Sequence, residues 1–222
     1  MSFHETIFAA LKKAGDKDAL IEIHGKEKRP FSAAAVLALI ARARGALRKA
    51  GVGPGDRVAL LAPNSARWVA ADQAILAEGG IVVPLYSRQD PKELAVMVRD
   101  CAPVLVVAEG PALANALRAA WPEACPIALF DDVFAADPVD DPPRALAPTD
   151  AVTIIYTSGT SGEPKGVVLN RANVDYMLPQ TLTSLRKITP EGRPDKVFHF
   201  LPFCFAGSRI MLWTQLFRGN PL

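Results

Sequence analysis

The sequence predicts an α/β fold, doubly wound, with a mostly parallel sheet and helices on both faces. Three observations predict it. Short apolar runs alternate with helical segments of about ten or more residues along most of the chain. The runs are continuously apolar, the pattern of strands covered on both faces. Glycines and prolines punctuate the boundaries. Sheets of this kind bind ligands at the carboxyl ends of their strands.

The elements follow in order. Thr6–Ala14 predicts a short helix stopped at Gly15. Ala19–His24 predicts a strand that turns at Gly25. Ser32 is placed to cap a helix over Ala33–Lys49, because its hydroxyl can accept from the free first-turn amides. Gly51 suits the left-handed position that ends that helix. After the turn GPGD, Arg57–Ala62 is an apolar strand. Asn64 or Ser65 caps the next helix, which runs to Glu78 and stops at Gly79-Gly80. Strands over Ile81–Leu85, Pro103–Ala108 and Ile127–Phe130 alternate with helices over Pro91–Cys101 and Pro111–Trp121. The Asp- and Pro-rich stretch 131–150 breaks the alternation and reads as a surface connection. Beyond it come strands over Ala151–Tyr156 and Gly166–Asn170, a helix over Ala172–Leu185, a strand over Lys196–Leu201 and a helix over Cys204–Phe217. The sequence reaches GNPL where a further strand is expected, so 1–222 reads as one α/β subdomain, the truncated N-terminal part of a larger protein.

Composition removes several function classes. The 25 basic and 23 acidic residues give a net charge of +2 with no basic run, so nucleic-acid binding has no electrostatic footprint. The three cysteines, Cys101, Cys125 and Cys204, form no C-x-x-C pair, which argues for a reducing compartment and against a disulfide framework or Cys-rich metal site. The N-terminus lacks the pattern of a signal peptide. No apolar run is long enough to span a bilayer. A soluble cytoplasmic protein is the expectation, with peripheral membrane association left open. Arg42, Arg44, Arg48 and Lys49 read as one solvated helix face. His4, His24 and His199 have no metal-ligand spacing, and His199, in an apolar run, reads as packed or hydrogen-bonded.

The most informative stretch is TIIYTSGTSGEPKGVVLN, from Thr153 to Asn170. Between two strands it carries Thr157, Ser158, Gly159, Thr160, Ser161, Gly162, Pro164, Lys165 and Gly166. Glycines permit positive φ and close approach of a ligand. Successive amides can form a concave nest for an anion. The hydroxyls donate without adding charge, and Lys165 adds a mobile point charge suited to phosphate. These are the parts of a polyphosphate cradle. The order differs from the G-x-x-x-x-G-K-S/T phosphate loop, because here the lysine precedes a glycine and a strand follows.

TSGTSGEPKG resembles the phosphate loop of the adenylate-forming superfamily, which includes acyl-CoA synthetases and non-ribosomal peptide adenylation domains. Tyr156–Gly166 matches that family's pattern throughout, except that Ser161 stands where threonine is usual. The segments PFSAAAVLALIARARGALRKAGVGPGDRVALLAPNS, AEGGIVVPLYSRQDPKELAVMVRDCAPVLVV and LNRANV are similar to other family segments, with Arg171 where histidine is common. The resemblance is to the N-terminal part of the long-chain fatty-acid–CoA ligases. It implies a two-step reaction: a carboxylate attacks the α-phosphate of ATP to give an acyl-adenylate and pyrophosphate, then coenzyme A takes the acyl group. The loop, with Mg²⁺, would hold the departing phosphates.

The resemblance also assigns LPFCFAGSRIMLW (Leu201–Trp213) to the lining of the acyl pocket, with Phe203, Phe205, Ala206, Gly207 and Ser208 as candidates. Phe205 stands where acyl-CoA synthetases often have histidine. Ala206 stands where amino-acid adenylation domains carry the aspartate that pairs with an α-ammonium, which disfavours an amino-acid substrate. An aryl acid, and a non-catalytic nucleotide-binding module, are the alternatives to a fatty acid ligase. The family's later motifs lie beyond Leu222, so the 1–222 chain alone is expected not to catalyse adenylation. Acyl-AMP formation from ATP and a fatty acid by the purified chain, read as pyrophosphate release, would contradict this.

Overall fold

The computed structural model describes residues 1–123, 125–157, 164–187 and 196–222. The chain begins with helix α1 (Phe3–Ala14) and an antiparallel hairpin of β1 (Asp18–His24) and β2 (Glu27–Ser32). Helix α2 (Ala33–Lys49), strand β3 (Arg57–Leu61), helix α3 (Ala66–Ala77) and strand β4 (Ile81–Leu85) follow. Then come α4 (Pro91–Cys101), β5 (Leu105–Ala108), α5 (Pro111–Ala120), β6 (Ile127–Leu129) and α6 (Phe130–Ala135). The last elements are β7 (Ala151–Thr157), β8 (Lys165–Asn170), α7 (Arg171–Arg186) and α8 (Ala206–Arg218).

Among the described residues one six-stranded sheet runs in the order β6-β5-β3-β4-β7-β8. All neighbours are parallel except β7 and β8, which form an antiparallel hairpin. The expected doubly wound, mostly parallel sheet is present. Its pleat sends alternate side chains to opposite faces. Val58 and Leu60 join a core built with α1, α2, α3, α7 and α8. Ala59 and Leu61 join a second core with α4 and α5. Ser32 and Ser65 cap α2 and α3 by accepting from Ala35 and Trp68 amides at 3.1 and 3.0 Å.

The Ala19–His24 strand is present as β1, but it lies outside the parallel sheet and pairs with the unexpected β2, whose run EKRPFS has no apolar alternation. Three expectations need correction. The 131–150 stretch is more than a linker: α6 opens it and buries Phe130, Val133 and Phe134. Lys196–Leu201 is not a strand and pairs with none of the described strands; Val197 N–H reaches Pro221 O at 3.4 Å. Arg44 is buried, not solvated. It donates to Glu78 at 2.6 Å and to the carbonyl of Asp141, and Arg48 joins the same two acids. A buried guanidinium needs such partners, because stripping its water without them is costly.

The 196–205 segment is fastened to the end of β3 by Asn64. Its Nδ2 donates to Leu201 O and its Oδ1 accepts from Phe203 N–H, both at 2.8 Å. One side-chain amide thus satisfies a donor and an acceptor of a chain segment that has no ladder. Asn64→Leu should cost about 1–3 kcal/mol through the unpaired backbone groups it leaves, read by chemical denaturation.

His4 lies buried on α1 with its ring edge-on to Phe8 at 4.9 Å. Burial pushes its pKa down to about 4, against a backbone hydrogen bond at Gln73 that raises it. The folded state therefore binds the His4 proton less readily than the unfolded chain. Stability from this group is complete above the ordinary histidine range and falls as pH drops from about 6.5 to 4. Relative to His4→Leu, wild type should lose about 2–3 kcal/mol between pH 7 and pH 4, measured by denaturation at both pH values.

Candidate active site

Three neighbouring strands deliver the site. β3, β4 and β7 are parallel, so their carboxyl ends lie along one edge of the sheet. Asn64 follows β3, Tyr86 follows β4, and Thr157 ends β7. Val82 is paired with Thr153, and counting on from that register sets Tyr86 level with Thr157. The segment Leu201–Phe205 crosses the same edge: Asn64 holds its start, and Phe205 meets Tyr86 at a ring separation of 5.8 Å. The edge thus carries the acyl-pocket candidates beside the root of the phosphate-loop candidate.

Of the loop residues, Thr157, Lys165 and Gly166 are described, while Ser158, Gly159, Thr160, Ser161 and Gly162 lie outside the described residues. Thr157 pairs with Lys165 across the hairpin, and Tyr156 with Gly166. Thr157 and Lys165 are both exposed, and Thr157 Oγ1 donates to Lys165 O at 3.5 Å. Two strands therefore present a hydroxyl and an ammonium at the mouth of one loop.

Gly166 has a reason that the sequence did not show. A Cβ there would sit 2.8 Å from Ile154 Cγ2 and 3.3 Å from Tyr156 Cζ. Its φ is not positive. The glycine is required by the side chains lying over it. Tyr156 is held in place by donating to Asp100 Oδ2 at 2.5 Å, and burial with that hydrogen bond keeps its hydroxyl protonated well above the usual phenol range.

The acyl-pocket candidates separate into two groups. Phe205, Ala206 and Gly207 are exposed. Phe203 and Ser208 are buried, and Phe203 packs on Trp68 at 5.1 Å and stacks on His199 at 5.4 Å. Ser208 Oγ donates to Leu201 O at 2.9 Å and lies 2.5 Å from His199 Nε2. With its hydroxyl donated to a carbonyl, Ser208 Oγ is left to accept a hydrogen bond from His199 Nε2–H, so this pair locks the turn rather than activating a nucleophile. Burial lowers the His199 pKa, consistent with a neutral ring. Cys204 is buried too, and burial raises its thiol to about 11, which makes it a poor nucleophile.

Sequence reasoning missed a buried polar cluster behind this edge. Arg209 and Asp72 are in ionic contact, with Arg209 Nη1 donating to Thr153 Oγ1 at 2.8 Å. Trp213 Nε1 and Gln73 Nε2 donate to the other Asp72 oxygen at 3.0 and 2.9 Å. Burial pushes Asp72 up and Arg209 down, and the charge of each opposes the shift of the other. The available signal was a lone acid in the apolar run WVAADQAILA and a lone base in GSRIMLW.

Comparison with known proteins follows the same outline. A model of the AMP-binding enzyme family matches residues 7–222. Tyrocidine synthase 2 of Brevibacillus parabrevis is 33% identical over 176 residues, covering 79% of this chain and 5% of that protein. The long-chain-fatty-acid–CoA ligase FadD15 of Mycobacterium tuberculosis is 32% identical over 176 residues, covering 72% of this chain and 29% of that protein. The chain therefore spans less than a third of the length of these relatives. VinN in complex with L-aspartate superposes with a TM-score of 0.82 at 22% identity, over 100% of this chain and 61% of that one. The fatty acyl-adenylate ligase from L. pneumophila, in complex with acyl adenylate and pyrophosphate, gives 0.81 at 20% identity, over 99% and 38%. These two likenesses show a shared fold, and with a family model that matches almost the whole sequence they lead to one conclusion: the chain belongs to the AMP-binding enzyme family.

Proposed function

We propose that this chain is the N-terminal part of an ATP-dependent acyl-CoA synthetase, folded as one α/β subdomain, that activates a fatty acid as its acyl-adenylate for transfer to coenzyme A. One observation carries the reading. Thr157 and Lys165, the two ends of the hydroxyl- and glycine-rich stretch, and the apolar segment around Phe205 share the carboxyl edge of β3, β4 and β7, which supports a polyphosphate and an apolar acid meeting there.

In the first step a carboxylate oxygen attacks the α-phosphorus, the bond from that phosphorus to the bridging oxygen breaks, and pyrophosphate leaves with the electron pair. Negative charge gathers on the leaving group. Thr157, Lys165 and the loop amides would bind and orient it, which lowers the barrier by positioning and electrostatics. Mg²⁺ would arrive with ATP on the phosphate oxygens. The thiolate of coenzyme A then takes the acyl group and AMP departs.

The 32% identity over 118 residues to a protein named as a polyketide synthase–nonribosomal peptide synthetase supports a second reading, an amino acid as the activated carboxylate. Against it, Ala206 offers a methyl group to the site and no charge for an ammonium. FadD15, by its name a long-chain fatty acid ligase, supports the apolar acid.

Lys165→Ala should weaken binding of Mg²⁺–pyrophosphate to the chain by about tenfold or more, the worth of a charge-assisted hydrogen bond. Stability should stay within about 0.5 kcal/mol, since the side chain is exposed. Calorimetric titration and a thermal melt check both. Equal affinity of wild type and variant would overturn the phosphate role of the loop.

A further inference from the structure

We infer that the buried Arg209–Asp72 pair is a positioning element that ties the wall of the proposed acyl pocket to the strand carrying the phosphate loop, so that the two parts of the site respond as one. This rests on the phosphate-binding reading of residues 157–166.

Arg209 lies in the first turn of α8, and its amide donates to Phe205 O at 2.9 Å. Its backbone is thus part of the pocket segment. Its side chain leaves that segment entirely. It reaches Thr153 Oγ1 on β7, four residues before Thr157, and Asp72 on α3. Thr153 hands the link on by donating to Val82 O on β4 at 2.8 Å. The guanidinium also lies over the rings of Trp213 at 4.4 Å and Trp68 at 5.9 Å, and Trp68 packs on Phe203.

Packing alone does not explain an arginine here. Apolar residues of similar volume usually fill such a site at no loss of stability, and burying an ion pair carries a desolvation cost. Arg209 Nε is moreover buried without a partner, a further cost. What an apolar side chain cannot supply is directional contact from α8 to two further elements, α3 and β7, at once. The pair fixes where α8 starts relative to β7, and therefore where Phe205 stands relative to Thr157 at the end of that strand.

The test uses the 222-residue chain in a Trp121→Phe background, which leaves Trp68 and Trp213, both against Arg209, as reporters. Mg²⁺–pyrophosphate is the probe. Binding should shift tryptophan emission in this background. Thr153→Val removes the link to β7 with little change in volume and none in charge. It is expected to fold normally by circular dichroism, to bind about five- to tenfold more weakly, and to lose the emission response. The double variant Asp72→Asn/Arg209→Met, which leaves no uncompensated charge, is expected to behave likewise. Thr153→Val with unchanged affinity and unchanged emission response overturns the inference. If, in addition, Lys165→Ala binds as tightly as wild type, or wild type does not bind, the phosphate reading falls with it. If binding needs Lys165 and ignores Thr153, only the coupling falls.

Discussion

The second half of the chain joins the parallel sheet through the pairing of β4 with β7. The chain runs from β6, at one edge of the sheet, through residues 130–150 and inserts β7 beside β4 with Val82 opposite Thr153. Thr153 adds a side-chain hydrogen bond to Val82 O, at a position with no exposure to solvent. The parallel direction of that pairing has a functional result. It brings the end of β7 to the edge where β3 and β4 also end. An antiparallel insertion would have put the loop at the opposite edge, away from Asn64 and Phe205.

Three polar contacts then place the pocket segment on that edge: the Asn64 amide on Leu201 and Phe203, the Ser208 hydroxyl on Leu201 O, and the Arg209 guanidinium on Thr153 and Asp72. Each joins residues that are distant along the chain or turns the chain sharply. The apolar contacts, such as Phe203 on Trp68, contribute most of the free energy of holding the segment down. They are non-directional, and alone they would allow the segment to slide. Directional bonds set its register.

Much of this was legible in the sequence, for physical reasons. β3, β4 and β5 are buried on both faces, so apart from Arg57 at the start of β3 every residue is apolar and the runs were visible. The 157–166 stretch was legible because so many glycines and hydroxyls with one lysine have few other uses between strands. β2 was not legible, because its half-exposed hairpin tolerates Glu27, Lys28, Arg29 and Pro30. α6 was hidden because its buried residues, Phe130, Val133 and Phe134, sit among aspartates in a proline-rich stretch. Arg44 looked solvated because a charged residue on a helix usually is, and its partner Glu78 is 34 residues away. Asp72 and Arg209 are 137 residues apart, and no local pattern connects them. Loop residues 158–162, the centre of the sequence-based site, lie outside the described residues.

The contact between Tyr156 and Gly166 bears on how these two positions can vary. A glycine beside Lys165 could serve the close approach of a ligand from outside the hairpin. Here the demand comes from inside the hairpin, from Ile154 and from a tyrosine ring pinned by Asp100. Positions 154, 156 and 166 are therefore chosen together. A smaller residue at 156 would relax only the looser part of the exclusion of side chains at 166, and any side chain at 166 would first have to displace Ile154 Cγ2 and then press on the ring. For anyone redesigning this hairpin, the three should be varied as one unit, with Asp100 deciding how firmly the ring resists.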